Sequence, residues 1–112
     1  MGLAYKENVD DMRESPTFDL MDELGDLGAQ IDYFDPHIPE VTPTREHARW
    51  TGTKSIEWTP ENIASFDCIL IATNHKLFDL ESLLESADLI VDTRNAVAKA
   101  GLNPRKGQLV KA

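Results

Sequence analysis

An α/β fold, three layers deep (α/β/α) around a mostly parallel sheet, is what three observations in this 112-residue sequence predict. "DCILIATN" and "DLIVDTRN" are continuous apolar runs of the length expected for strands covered on both faces. Segments with helical periodicity alternate with the candidate strands, the order that builds a parallel sheet. The chain opens on "GLAYK", which reads as the end of a buried strand with only about four residues available to it. The sheet is therefore Rossmann-like with its first strand truncated.

In chain order, Ser15-Pro16 marks a helix start: a Ser N-cap, then Pro at the first helical position, where its missing N–H costs nothing. Leu20, Met21, Leu24 and Leu27 recur at helical spacing, acids fill the other face, and Gly28 supplies a left-handed C-terminal cap. Gly25, inside this helix, marks close packing. "AQIDYFDP" alternates as a strand does and stops at Asp35-Pro36. Residues 36–54 form a loop longer than functionless loops usually are. "SIEWT" is a short strand candidate, and Thr59-Pro60 repeats the cap-plus-Pro signature for a short helix ending near Ser65. "FDLESLLESA" is a helix with Leu80, Leu83 and Leu84 inward, and "GQLVKA" is a short terminal strand.

Composition bounds the function. A formal charge of −9 argues against a nucleic-acid or anionic-membrane surface, so any anion must be held by a few locally placed donors. No apolar stretch approaches the roughly 18 residues of a membrane span, and no signal-peptide pattern opens the chain. The single cysteine forms no internal disulfide, which makes a cytoplasmic setting the default expectation. Length and composition fit one domain over residues 1–112.

In parallel sheets ligands sit beyond the carboxyl ends of the strands. That rule selects Tyr5-Lys6, Asp35-Pro36, Thr73-Asn74-His75 and Asp92-Thr93-Arg94-Asn95. Lys6 and Arg94 have two readings: a clamp on an anionic ligand, Arg as a fork and Lys as a point charge, or salt bridges in an acid-rich chain. Asp10, Asp11, Arg13 and Glu14 read as a local ion-pair network beside a helix N-terminus. Cys68 lies inside an apolar run and reads as core, not as a nucleophile. His37, His47 and His75 lack metal-ligand spacing, so no metal site is expected, and only His75 stands near a strand end. Trp50 and Trp58 read as anchors of the long loop. No Gly-rich dinucleotide fingerprint follows any strand. A phosphoacceptor receiver module built on Asp10, Asp11, Asp35 and Thr73 is the competing class. It lacks a Lys at the final buried strand, which ends in Asp92-Thr93-Arg94.

"GLAYKENVDDMRESP", "GAQIDYFDPHIPE", "ILIATNHKLFD" and "LIVDTRN", in this order, resemble the C-terminal, UDP-binding domain of the UDP-glucose/GDP-mannose dehydrogenase family. "PTREHARWTGTKSIEWTPENIASFD" is similar to the UDP-N-acetyl-D-glucosamine 6-dehydrogenase branch, which serves surface-polysaccharide synthesis. The resemblance implies an oxidoreductase that oxidises a sugar C6 alcohol to a carboxylate in two NAD-dependent steps. Its catalytic Cys, catalytic Lys and NAD site belong to regions with no counterpart here, so no catalytic and no cofactor-binding residue is expected. It implies instead that Tyr5, Lys6 and Arg94 contact the UDP-sugar, with Arg13 structural. It also implies a complete strand before "GLAYK". Most of that strand is absent here, as in a fragment or a truncated gene. The expectations that follow are an inactive isolated chain, NAD-binding and central domains as partners, and a sheet open to strand swapping, homo-oligomerisation or replacement by the "QLVKA" tail. A degenerate domain that binds nothing is the alternative.

Overall fold

The computed structural model describes residues 1–13, 15–43 and 46–112. Glu14, expected in the network before the first helix, lies outside the described residues.

The first helix, α1 (Pro16–Asp26), begins as its sequence dictates. Ser15 Oγ accepts from the Thr17 N–H at 3.3 Å, and Pro16 takes the first turn. At its other end Ala29 N–H donates to Leu24 O and Gly28 N–H to Gly25 O, with Gly28 at φ +97°. The buried face differs from the leucine spacing. Thr17, Phe18 and Met21 point inward, whereas Leu20 and Leu24 are partly exposed and Leu27 is 84% exposed. Phe18 is a larger apolar body than the leucines, and its full burial sets which face of the helix turns inward.

The long loop folds onto α1. Among its described residues the helical piece is a 3₁₀ turn at Ala48–Trp50. Trp50 Nε1 donates to Asp22 Oδ1 at 2.8 Å, Arg49 Nη1 to Asp26 Oδ1 at 2.8 Å, and the His47 ring stacks on Phe18 at 4.1 Å. Gly25 lets Arg49 approach, since a Cβ there would stand 2.6 Å from Arg49 Nη2. Tyr33 holds the loop from the other side: its hydroxyl donates to Ile38 O at 2.8 Å, and burial pushes its pKa up to about 12. Trp58 does not anchor the loop; it packs on Phe34, ring centroids 4.7 Å apart.

The rest of the chain alternates strand and helix: α2 (Pro60–Ala64), β1 (Ile69–Ile71), α3 (Leu80–Ser86), β2 (Ile90–Asp92), α4 (Ala96–Lys99) and β3 (Leu109–Lys111). Thr59 Oγ1 caps α2 by accepting from Asn62 N–H at 3.1 Å. All three strands are parallel in the order β1-β2-β3, so the fold is α/β with helical crossovers. The terminal strand is fastened by Gln108, whose buried amide donates to Leu84 O and Ala87 O. One core gathers Ile63, Ile71, Leu83, Ile90 and Val97 on α2, α3, α4 and the sheet; a second gathers Leu3, Phe18, Met21, Tyr33 and Val41 beneath α1 and the loop.

Two expected strands are not regular strands. Residues 29–35 and 55–57 carry no ladder; they meet through Ile56 N–H to Tyr33 O at 2.9 Å. A strand needs a run of paired bonds to a neighbour, and among the described residues these segments make isolated ones. Gly2 N–H donates to Phe34 O, the Met1 amino group donates to Leu70 O at 2.6 Å, and Met1 O accepts from Ala72 N–H. Beside Met1 an open apolar groove of about 140 Å³ runs between residues 30–34 and β1, lined by Leu20, Leu24, Ile31, Trp58 and Cys68. The "QLVKA" tail does not fill it, because β3 pairs with β2 at the opposite edge. The groove also corrects two expectations about "DCILIATN". Ile69 and Leu70 are only half-buried, and Cys68 is exposed rather than core. Its apolar surroundings still push the thiol pKa up, the opposite of an activated nucleophile.

The Met1 amino group carries a pH signature. Burial pulls its pKa down from 8.0 to about 6, against the opposing pull of the Asp35 charge. The unfolded chain then binds this proton more tightly than the folded one, so the folded state loses stability as pH falls from 8 to 6. A chain with a free Met1 amino group is expected to be about 2 kcal/mol less stable at pH 6 than at pH 8 by urea unfolding. Nα-acetylation is expected to flatten that slope; an unchanged slope would assign it to other groups.

Candidate functional site

At the carboxyl edge of the sheet, side chains tie the strand ends together. Asp92, the last residue of β2, is buried and accepts three backbone bonds: Arg94 and Ala96 N–H on Oδ1 at 3.0 and 3.1 Å, Val97 N–H on Oδ2 at 3.0 Å. The carboxylate thus caps α4 and fixes the turn in which Asn95 takes φ +55°. Thr93 Oγ1 donates to Ile71 O at 2.6 Å and Arg94 Nε to Ala72 O at 2.8 Å. One step further, Thr73 Oγ1 donates to Ala4 O at 3.1 Å. Ala72-Thr73 is therefore the common anchor of Arg94 on one side and of the segment leading into Tyr5-Lys6 on the other.

Lys6 and Arg94 are both exposed on this edge, and Tyr5 is 51% exposed beside Lys6. Among the described residues the Lys6 ammonium has no hydrogen bond or ion pair, and Arg94 uses only its Nε and its backbone N–H. The described ion pairs lie elsewhere: Arg13 with Asp11 at 3.2 Å, Arg49 with Asp22 and Asp26, His75 with Asp35. The Arg13 guanidinium bonding to Asp11 holds that carboxyl below its usual range. Arg94 lines an open cleft of about 420 Å³ with Thr93, Asn95, Lys99 and Lys111; Tyr5 and Lys6 lie outside this cleft. Lys99 and Lys111 carried no strand-end signal in the sequence, because their place depends on how α4 and β3 return to the edge.

The structure also brings together three sequence-distant segments, around Leu3-Ala4, Asp35 and His75. Asp35 is 1% exposed, and its Oδ2 accepts from Leu3 N–H at 2.7 Å, Ala4 N–H at 3.0 Å and His75 Nε2 at 2.8 Å. Its Oδ1 accepts from His37 N–H at 2.8 Å. Both oxygens are thereby engaged, which leaves no phosphoacceptor carboxylate here, and Thr73 is committed to Ala4. Among the described residues no group of three metal-ligating side chains occurs. The N-termini of α3 and α4 are capped by the carboxylates of Asp79 and Asp92.

Among the described residues, no helix is long and apolar enough to cross a membrane. Comparison with known proteins agrees with the architecture. The chain is 31% identical over 102 residues to a UDP-N-acetyl-D-mannosamine dehydrogenase of Methanococcus vannielii, covering 84% of this chain and 21% of that enzyme. It is 33% identical over 104 residues to UDP-glucose 6-dehydrogenase YwqF of Bacillus subtilis, covering 85% and 22%. With a UDP-N-acetyl-D-glucosamine 6-dehydrogenase of Pseudomonas aeruginosa it shares 32% over 78 residues, covering 70% and 17%. The chain thus spans about one fifth of the length of the relatives it matches. The model of the UDP-glucose/GDP-mannose dehydrogenase family's UDP-binding domain matches residues 1–99, and the chain belongs to that family.

Proposed function

We propose that residues 1–112 form the domain that holds the nucleotide end of a UDP-sugar for an NAD-dependent 6-dehydrogenase in the cytoplasm. Lys6 and Arg94 hold the diphosphate and Tyr5 lies beside it. The observation that carries this reading is that both cations stand at the carboxyl edge without a carboxylate partner among the described residues. They do so in a chain with 20 acidic and 11 basic residues. Salt bridging, the bland alternative for these two cations, has no support in the ion pairs described. The bond from Arg94 Nε to Ala72 O restrains this side chain, so less of its freedom is lost when a phosphate arrives. Chemistry belongs to residues outside this chain, and binding energy gathered here orients the sugar toward it.

The sugar we assign is N-acetylglucosamine. The similarity of residues 43–67 to that branch and the Pseudomonas aeruginosa relative support it. Calorimetric titration of the 112-residue chain with UDP tests the reading. Lys6→Ala and Arg94→Ala are each expected to weaken binding by about tenfold, the size of a charge-assisted contact of ~1.4 kcal/mol. No UDP binding at millimolar concentration would favour a degenerate domain. UDP-N-acetylglucosamine and UDP-glucose, titrated in parallel, test the sugar.

A further inference from the structure

The loop from Tyr5 to Asn8, which carries Lys6, is held at its far end by a buried ring and the backbone N–H that follows it. Asn8 N–H donates to His75 Nδ1 at 2.7 Å, and Asn8 Oδ1 accepts from Lys76 N–H at 2.7 Å. Asn8 adopts φ +62°, a left-handed conformation that Asn tolerates and β-branched residues refuse. Because Nδ1 accepts, the opposite nitrogen must be the one that carries hydrogen: His75 Nε2–H donates to Asp35 Oδ2 at 2.8 Å. His75 is 1% exposed, wedged edge-on against His37 and Phe78 at 4.6 and 5.2 Å between ring centroids. The Asp35 oxygen that receives it also receives Leu3 and Ala4 N–H, at the near end of the same loop. One carboxylate and one imidazole thus act at both ends of the segment bearing Lys6, beside the bonds from Lys76 N–H to Asn8 Oδ1 and from Tyr5 N–H to Asp11 O.

The geometry points to His75, as the neutral Nε2–H tautomer, being a positioning residue for the ligand site: through Asn8 it sets the place of Lys6. This rests on the reading of Lys6 as a UDP contact. His75 touches no ligand itself, and its effect travels through a single N–H···N bond and the backbone of the loop.

Nitrogen-15 NMR of the His75 ring, combined with UDP titration of the same samples, tests it. In the wild type Nδ1 is expected to resonate as an unprotonated acceptor and Nε2 as protonated. Asn8→Val, an exposed change that leaves the core intact, is expected to shift the Nδ1 signal and weaken UDP binding by about tenfold or more. Asn8→Gly keeps the backbone N–H and the left-handed φ, and is expected to restore affinity to within about threefold of wild type. His75→Phe, which removes both bonds, is expected to match Asn8→Val. Wild-type affinity in Asn8→Val despite a displaced Nδ1 signal would overturn the positioning role while leaving the UDP reading intact. A wild-type ring protonated at Nδ1 would also overturn it. Absence of UDP binding in the wild type would overturn the UDP reading and the positioning role together.

Discussion

Asp35→Ala is expected to lower the unfolding free energy by about 4 kcal/mol, enough to leave a domain of this size largely unfolded in dilute urea. The reason is the number of groups that depend on this one carboxylate. Leu3, Ala4 and His37 each donate a backbone N–H to it, and His75 donates its Nε2–H, all in a site excluded from water. Replacement by a methyl group strands these donors together, and each stranded donor costs on the order of 1–3 kcal/mol, partly relieved by water entering. Asp35→Asn keeps one acceptor oxygen but turns an NH2 group toward the donors, so an intermediate loss of about 2 kcal/mol is expected. A shift in the urea midpoint worth less than ~1 kcal/mol for Asp35→Ala would mean that water replaces these bonds freely. The N-terminal segment would then not be tied to the rest of the fold through Asp35.

Gly2→Ala is the second large effect. Gly2 sits at φ +88°, and a Cβ there would overlap the Thr73 backbone oxygen and stand 2.7 Å from its nitrogen. The obstruction is main chain, which moves only with β1, so side-chain rotation offers no relief. Left-handed strain contributes about 1–2 kcal/mol and the overlap about as much again, for an expected loss of about 3 kcal/mol. The damage reaches function too, since displacing Thr73 releases Ala4 O and loosens the loop that carries Lys6. Urea unfolding measures the stability change, and UDP titration of the folded fraction measures the second. A fully stable Gly2→Ala chain would show that Met1 and Gly2 do not hold their place between Phe34 and β1.

Local signals in the sequence carried the helix starts well. Ser15-Pro16 and Thr59-Pro60 cap their helices, because a cap needs only residues two or three positions away. The apolar runs around Ile69–Ile71 and Ile90–Asp92 became parallel neighbours, and the position of Arg94 after the second followed from that. Properties set by distant parts of the chain were not legible. Residues 29–35 alternate as a strand should, yet a ladder needs a run of paired bonds, and among the described residues they make isolated ones, from Gly2 N–H to Phe34 O and from Ile56 N–H to Tyr33 O. Cys68, whose apolar neighbours promised burial, lines the open groove and is exposed. Phe18, not the leucine stripe, decides which side of α1 faces inward, and that depends on the long loop folding back with His47. Of the site, Lys6 and Arg94 were visible as cations after strands. The Asp35–His75–Asn8 chain was not, because its members come from three separate segments and only the fold brings them within hydrogen-bond distance.

Titration of the chain with UDP and with uridine, side by side, tests the central claim most directly. If Lys6 and Arg94 hold the diphosphate, UDP binds at least about tenfold more tightly than uridine, and Lys6→Ala with Arg94→Ala brings UDP down to the uridine level. Equal affinities for UDP and uridine, or a double variant that still prefers UDP, would contradict the account.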